Sequence, residues 1–202
     1  MNNFQSIYTH LISYPAPLLP PLKPLSTALT PKISSLQVHP TLEAALHILN
    51  LDLSSAHFLV RHMQSGPAYE GMYLHGILHR IEGDYDNARA WYSDVKRAEV
   101  YSGLWGREGV DWKEWKKAGG DKDQGQTFLD DVQSFKERSK SSDEAMLQGN
   151  SRRELEHVIS YCIEKFGLEK WEDASEAWTK HSEDIRKIGE DQVSGDVGRR
   201  NF

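Results

Sequence analysis

The sequence predicts an all-α protein of antiparallel helical hairpins, about six to eight helices in all, preceded by an extended proline-rich segment. Three observations lead there. Apolar residues recur with the 3.6-residue period of a helix, most clearly at Leu42, Ala45, Leu46 and Leu49. The breaks between such stretches are short and carry turn chemistry, as at Gly83-Asp84. Proline is concentrated before residue 41, at Pro15, Pro17, Pro20, Pro21, Pro24, Pro31 and Pro40, which leaves most of the remaining chain open to helix.

Taken in order, residues 1–40 read as an extended leader, because each proline removes a donor and disfavours helical backbone in the residue before it. Its Pro17-Leu-Leu-Pro20-Pro21-Leu-Lys-Pro24 stretch has the form of a polyproline ligand for SH3-type domains; the plainer reading is a leader that wraps the domain. A single helical domain is expected over 41–190. Its first helix covers 41–50 with Thr41 as N-cap, and its second covers 53–64, ended by Ser65-Gly66-Pro67. The third covers 68–81 and the fourth 86–98, the latter with Ala88, Trp91, Tyr92 and Val95 on one stripe. Residues 99–150 read as an irregular insert with short helices at 111–118 and around Phe128, Val132 and Phe135, and a polar loop over 139–151. Helix returns at 151–166 and 172–188, and 191–202 reads as a flexible tail.

The segment Gly76-Ile-Leu-His-Arg-Ile-Glu-Gly83-Asp84-Tyr85-Asp-Asn-Ala88-Arg-Ala-Trp-Tyr92 resembles a tetratricopeptide repeat. Small residues at 76 and 88 let two helices approach, Gly83 frees the turn, and Asp84 caps the helix that follows. Asp52, Ala56 and Val60 echo this spacing, and so do Cys162, Trp171, Ala174 and Trp178, which predicts three hairpins. Cys162 is then a packing residue rather than a nucleophile. A second resemblance covers His57, the run from His75 to Ala88, and Trp91-Tyr92. It is to a group of bacterial and fungal helical proteins whose hallmark reads roughly H-A-I-M-H-R-R-E-x-D-Y-x-N-A-x-Y-W. The present chain carries H-x3-H-R-x-E-x-D-Y-x-N-A, with Ile81 where the group has a second consecutive arginine. The resemblance supports the helical fold and implies no particular activity.

Charge narrows the function classes. The net charge is −6 and acids and bases are interleaved, so the clustered cations that nucleic-acid binding demands are lacking. No apolar run is long enough for a transmembrane helix. The N-terminal segment has no cation before Lys23 and no Arg before Arg61, unlike signal and transit peptides. A lone cysteine fits a reducing compartment, and a cytoplasmic protein is expected.

His75, His79 and Glu82 stand at i, i+4 and i+7 on one helix face. With His57 from the preceding helix they form a candidate site for a divalent metal, zinc or iron, since two histidines and a carboxylate are a familiar ligand set. A metal-free polar pocket of His57, His75, His79 and Arg80 is an alternative, and these four are the candidate catalytic residues. Arg80, Asn87 and Trp91 are the candidate ligand contacts. The plainer alternative is structural: imidazoles satisfied by a carbonyl, Glu82 or Asp84, with Arg80 paired to Asp84 and Asn87 capping a helix. Trp105, Trp112 and Trp115 read as an arm packed on the core before they read as an aromatic platform. Two functions follow: a module binding a protein, peptide or small molecule, or a small enzyme, metal-dependent, with its site on the third helix.

Overall fold

The structure is a computed structural model and describes residues 3–21, 23–106, 123–138 and 143–179. Every regular element among them is helical: α1 (Phe4–Leu11), α2 (Thr30–Ser34), α3 (Pro40–Leu49), α4 (Leu53–Val60), α5 (Tyr69–Glu82), α6 (Tyr85–Val95), α7 (Glu99–Trp105), α8 (Gln124–Arg138) and α9 (Glu144–Phe166), followed by a 3₁₀ turn (Ala174–Ala177).

Two hairpins form the centre, α3 with α4 and α5 with α6. In the second, Gly83 ends α5 at φ +84°, a left-handed conformation that glycine adopts at low cost, and the Asp84 side chain accepts the Asn87 N–H to start α6. A Cβ on Gly76 would lie 2.8 Å from the Tyr92 ring, so the close approach of α5 and α6 depends on its absence. In the first hairpin Asp52 caps α4 by accepting the Ser55 N–H. The α3 cap is His39, not Thr41: Pro40 takes the first helical position and His39 Nδ1 accepts the Thr41 N–H.

The leader is not extended throughout. An Asn3–Ser6 capping box starts α1, which buries Phe4, Ile7 and Leu11, and α2 buries Ile33. Three apolar residues at i, i+3 and i+7 outweigh the prolines, which lie outside α1. Asn50 clamps the segment through both the N–H and C=O of Ser26. Pro17, the first residue of the SH3-like stretch, is buried, and its carbonyl accepts from Ser151 at 2.9 Å.

The described parts of the expected irregular insert are largely helical as well. Helix α8 buries Phe128, Leu129 and Val132 and packs on α6, while α9 begins at Glu144, inside the expected loop, and packs against α3, α7 and α8. Its inward stripe, Leu147, Ser151, Glu154, Leu155, Val158 and Cys162, includes two polar residues, which blurs the apolar period. Among the described residues no third hairpin forms: Ala174 sits in the 3₁₀ turn and Trp178 is extended, so they echo Ala88 and Tyr92 in spacing alone. The short helix expected at 111–118, the rest of 172–188 and the tail at 191–202 lie outside the described residues. Among the described helices none is long and apolar enough to cross a membrane.

Candidate functional site

Helix α5 carries different chemistry on two faces. On the inner face Arg80 is completely buried. It donates to Glu154 Oε2 at 2.9 Å, Ser151 Oγ at 3.1 Å and the Pro17 carbonyl at 3.4 Å, and its guanidinium lies 5.0 Å from the centre of the Phe128 ring. Tyr73 and Tyr92 donate their hydroxyls to Glu154 Oε1 at 2.9 and 2.6 Å, and the Trp105 indole donates to Tyr73 at 2.5 Å. Burial and the neighbouring carboxylate push both phenols well above their ordinary range. Burial alone would lower Arg80, but Glu154 and Tyr92 together more than offset it and the guanidinium stays charged. Arg80 is therefore no catalytic or ligand-binding group beside the histidines, and its partner is not Asp84. It joins the leader, α5 and α9 in a sealed polar core.

On the other face the three expected histidines do meet. The His75 and His79 rings are 4.8 Å apart between centres and inclined by 19°, and the His57 ring stands edge-on to them at 5.2 and 5.5 Å. His75 stacks at 4.6 Å on Trp91, which thus belongs to this cluster. His57 Nε2 contacts both Glu82 oxygens, at 2.9 and 3.0 Å. Burial, then the nearby His79, holds His75 down at about 4, and burial with His57 lowers His79, so both rings are neutral near pH 7. Nδ1 of each is buried without a hydrogen-bond partner.

The expected metal geometry is not formed. Among the described residues no group of three or more His, Cys, Asp or Glu side chains could hold a metal ion as placed. The reasons are local: imidazole lone pairs lie in the ring plane, the stacked rings of His75 and His79 are nearly parallel, and His57 engages the Glu82 carboxylate. Asn87 is exposed and donates to Asp84 at 2.6 Å, lowering that carboxyl, so it acts at the cap of α6. Cys162 packs in the core, its thiol pushed up to about 12 by burial.

A third region was not foreseen. A cavity of about 420 Å³ opens between the start of α3, the loop before α5, the end of α9 and the segment that follows α9. That volume lies within the roughly 300–1,000 Å³ of small-molecule sites. Its walls are mainly aromatic and apolar: His39 stacks face to face on Phe166 at 3.6 Å, Trp171 stands edge-on to His39 at 4.5 Å, and Trp178 lies at the rim, stacked on His62 at 4.2 Å. The Glu70 carboxylate is buried in the wall and accepts from Lys165 Nζ at 2.6 Å. The segment after α9 is pinned by two backbone bonds, Trp171 N–H to the Gln37 carbonyl and Thr179 N–H to the His62 carbonyl. The available sequence signal was a pair of tryptophans seven residues apart past the end of a helix, together with His39 just before Pro40. No protein-family model matches the chain, and neither a curated protein nor a solved structure matches it.

Proposed function

We propose that this protein is a small-ligand-binding helical module and that its ligand sits in the cavity between the hairpins and the segment over 167–179. The observation that carries this reading is a ligand-sized space with aromatic walls and a buried carboxylate paired to a partly exposed ammonium. Apolar walls supply binding free energy, and a few placed polar groups orient the guest. The test is a titration of the full chain with simple aromatic fragments (benzoate, benzylamine, indole and phenol), followed through the indole N–H signals in nitrogen-15 NMR. The expected result is movement of the Trp171 and Trp178 signals, assigned by Trp→Phe variants, and its loss on Trp171→Ala. No movement with any fragment, or movement confined to Trp91 beside the histidines, overturns it.

A second reading, a small metal-dependent enzyme using zinc or iron, rests on the three clustered imidazoles of His57, His75 and His79. Binding would need the His75 and His79 rings to turn until their lone pairs converge, while Glu82 keeps its bond to His57 and orients that ring. Titration with cobalt(II) decides it. Bands of tetrahedral cobalt that disappear in His79→Ala support the enzyme reading, and a flat titration at stoichiometric metal removes it.

A further inference from the structure

We propose that the cavity selects a zwitterion of amino-acid size with an aromatic body, a free aromatic α-amino acid being the simplest case. The inference rests on reading the cavity as a binding site and adds the class of ligand.

The charged side chains on the cavity wall are few and of both signs. Glu70 and Lys165 form a close pair, and Glu176 stands at the rim. Lys165 uses one N–H on Glu70, and its side chain is 40% exposed, so the ammonium is held in place with further donors to offer. Glu70 lines the same wall, its side chain buried and one carboxylate oxygen held by Lys165. His39 adds a second donor. Its Nδ1 accepts the Thr41 N–H and lies 2.7 Å from the Thr41 hydroxyl, which puts the neutral ring's proton on Nε2. Burial and the Lys165 charge keep this ring neutral, holding it at about 4, so it contributes a directed N–H and not a second cation.

Each singly charged guest would leave one side of this arrangement opposed. A cation faces the Lys165 ammonium, and an anion faces Glu70 and Glu176. A guest carrying both charges a few bonds apart sets its carboxylate on Lys165 and the His39 N–H, and its ammonium on Glu70 or Glu176. An unmatched charge in a partly desolvated site is costly, so the two kinds of guest should be distinguishable. The aromatic body follows from the walls: Phe166, Trp171 and Trp178 present ring faces and edges to the same space.

The experiment uses three guests with one phenyl body: L-phenylalanine, 2-phenylethylamine and 3-phenylpropionate. Each is titrated calorimetrically into the full chain and into Glu70→Gln, Lys165→Met and the double variant. L-phenylalanine should bind roughly tenfold or more tighter than either analogue. Glu70→Gln should weaken phenylalanine and phenylethylamine and spare phenylpropionate, and Lys165→Met should weaken phenylalanine and phenylpropionate and spare phenylethylamine. The double variant removes both charges together, avoids an unpaired buried carboxylate, and should bind all three guests alike. A singly charged analogue that equals phenylalanine overturns the zwitterion class and leaves the cavity a binding site. Failure of all three guests to bind overturns both the class and the cavity reading.

Discussion

Two faces of α5 place polar groups out of water in opposite ways. On one, the Arg80 guanidinium and the Glu154 carboxylate are wholly buried and tied to Tyr73, Tyr92, Ser151 and the Pro17 carbonyl. On the other, His75 and His79 are neutral rings stacked on each other, with His75 also on Trp91; neither Nδ1 makes a hydrogen bond, and that of His79 only approaches the Glu82 and Asp84 carboxylates at 3.8 and 3.7 Å. The arginine face is closed: nearly every donor has an acceptor within the fold, and the network joins segments far apart in the chain. The histidine face is packed but incompletely satisfied, the condition in which a polar cluster can accept something more. Polarity at an inward helix position is therefore no guide to function until its partners are counted.

The sharpest way to break this contrast is Arg80→Met. It strands a buried carboxylate with two tyrosine donors and should cost about 3–5 kcal/mol in urea unfolding. Adding Glu154→Gln removes the stranded charge, keeps an acceptor for the tyrosines, and should recover a large part of the loss. If Arg80→Met is nearly neutral, the inner face is not the structural clamp described.

Next in size is the response to acid. An unfolded His75 keeps the ordinary value of 6.5, and the folded ring is held at about 4. The unfolded chain therefore takes up the proton first as pH falls. The stability from this ring is complete above pH 6.5 and is lost on the way to pH 4, amounting to at most about 3 kcal/mol. His39 is held at about 4 as well and acts in the same direction. Stability measured from pH 7.5 to 4 should fall less steeply in His75→Phe than in the parent. An unchanged slope would mean that the histidine face is open to water in the folded state.

How much of this was readable beforehand follows from the range of the interactions. The α5–α6 hairpin was legible because its determinants are local: Gly83 and Asp84 at the turn, Gly76 opposite Tyr92, and Ala88 in the core. The meeting of His57, His75 and His79 was legible for the same reason, since neighbouring helices and i, i+4 spacing suffice. Arg80 was misplaced because its partner lies 74 residues away on α9, and no local pattern announces that pairing. The start of helix α9 was missed because residues 144–150 bury only Leu147, and their exposed polar side chains imitate a loop. The leader misled in the other direction. Asn3, Ser6 and the Phe4, Ile7, Leu11 spacing were in plain view, but the prolines that follow dominated the reading. The cavity draws on residues 39–41, 66–70, 165–166 and 171–179, which only the finished fold assembles.

Gly76→Ala tests how the two faces are held together. The added methyl would meet Tyr92 and Trp91, one from each network, at 2.8 and 3.0 Å. The two helices would have to part or the rings turn, at about 1–3 kcal/mol. The loss should come with changed ring-current shifts on both Tyr73 and His75, because Tyr92 touches the first and Trp91 the second. A shift on one side alone would show that the faces relax independently.

The smallest expected effect separates the two faces most directly. Glu82 binds His57 with good geometry, 2.9 Å from Nε2, yet its side chain remains 35% exposed and that of His57 25%. Water reaches both partners, so the pair exchanges one set of hydrogen bonds for another of similar strength, and salt screens what Coulomb attraction remains. Glu82→Gln retains a hydrogen-bonding oxygen and removes only the charge; it should change unfolding stability by about 0.2–1 kcal/mol, less still in high salt. Arg80 and Glu82 stand two residues apart on the same helix, and each makes a charge-assisted contact to another element. If Glu82→Gln instead costs as much as Arg80→Met, the carboxylate is holding the fold and the histidine face is as structural as the arginine face. If the cost is small, as the exposure of both partners requires, Glu82 and His57 can be altered without endangering the core, and any loss of ligand or metal binding in such variants reports on the site itself.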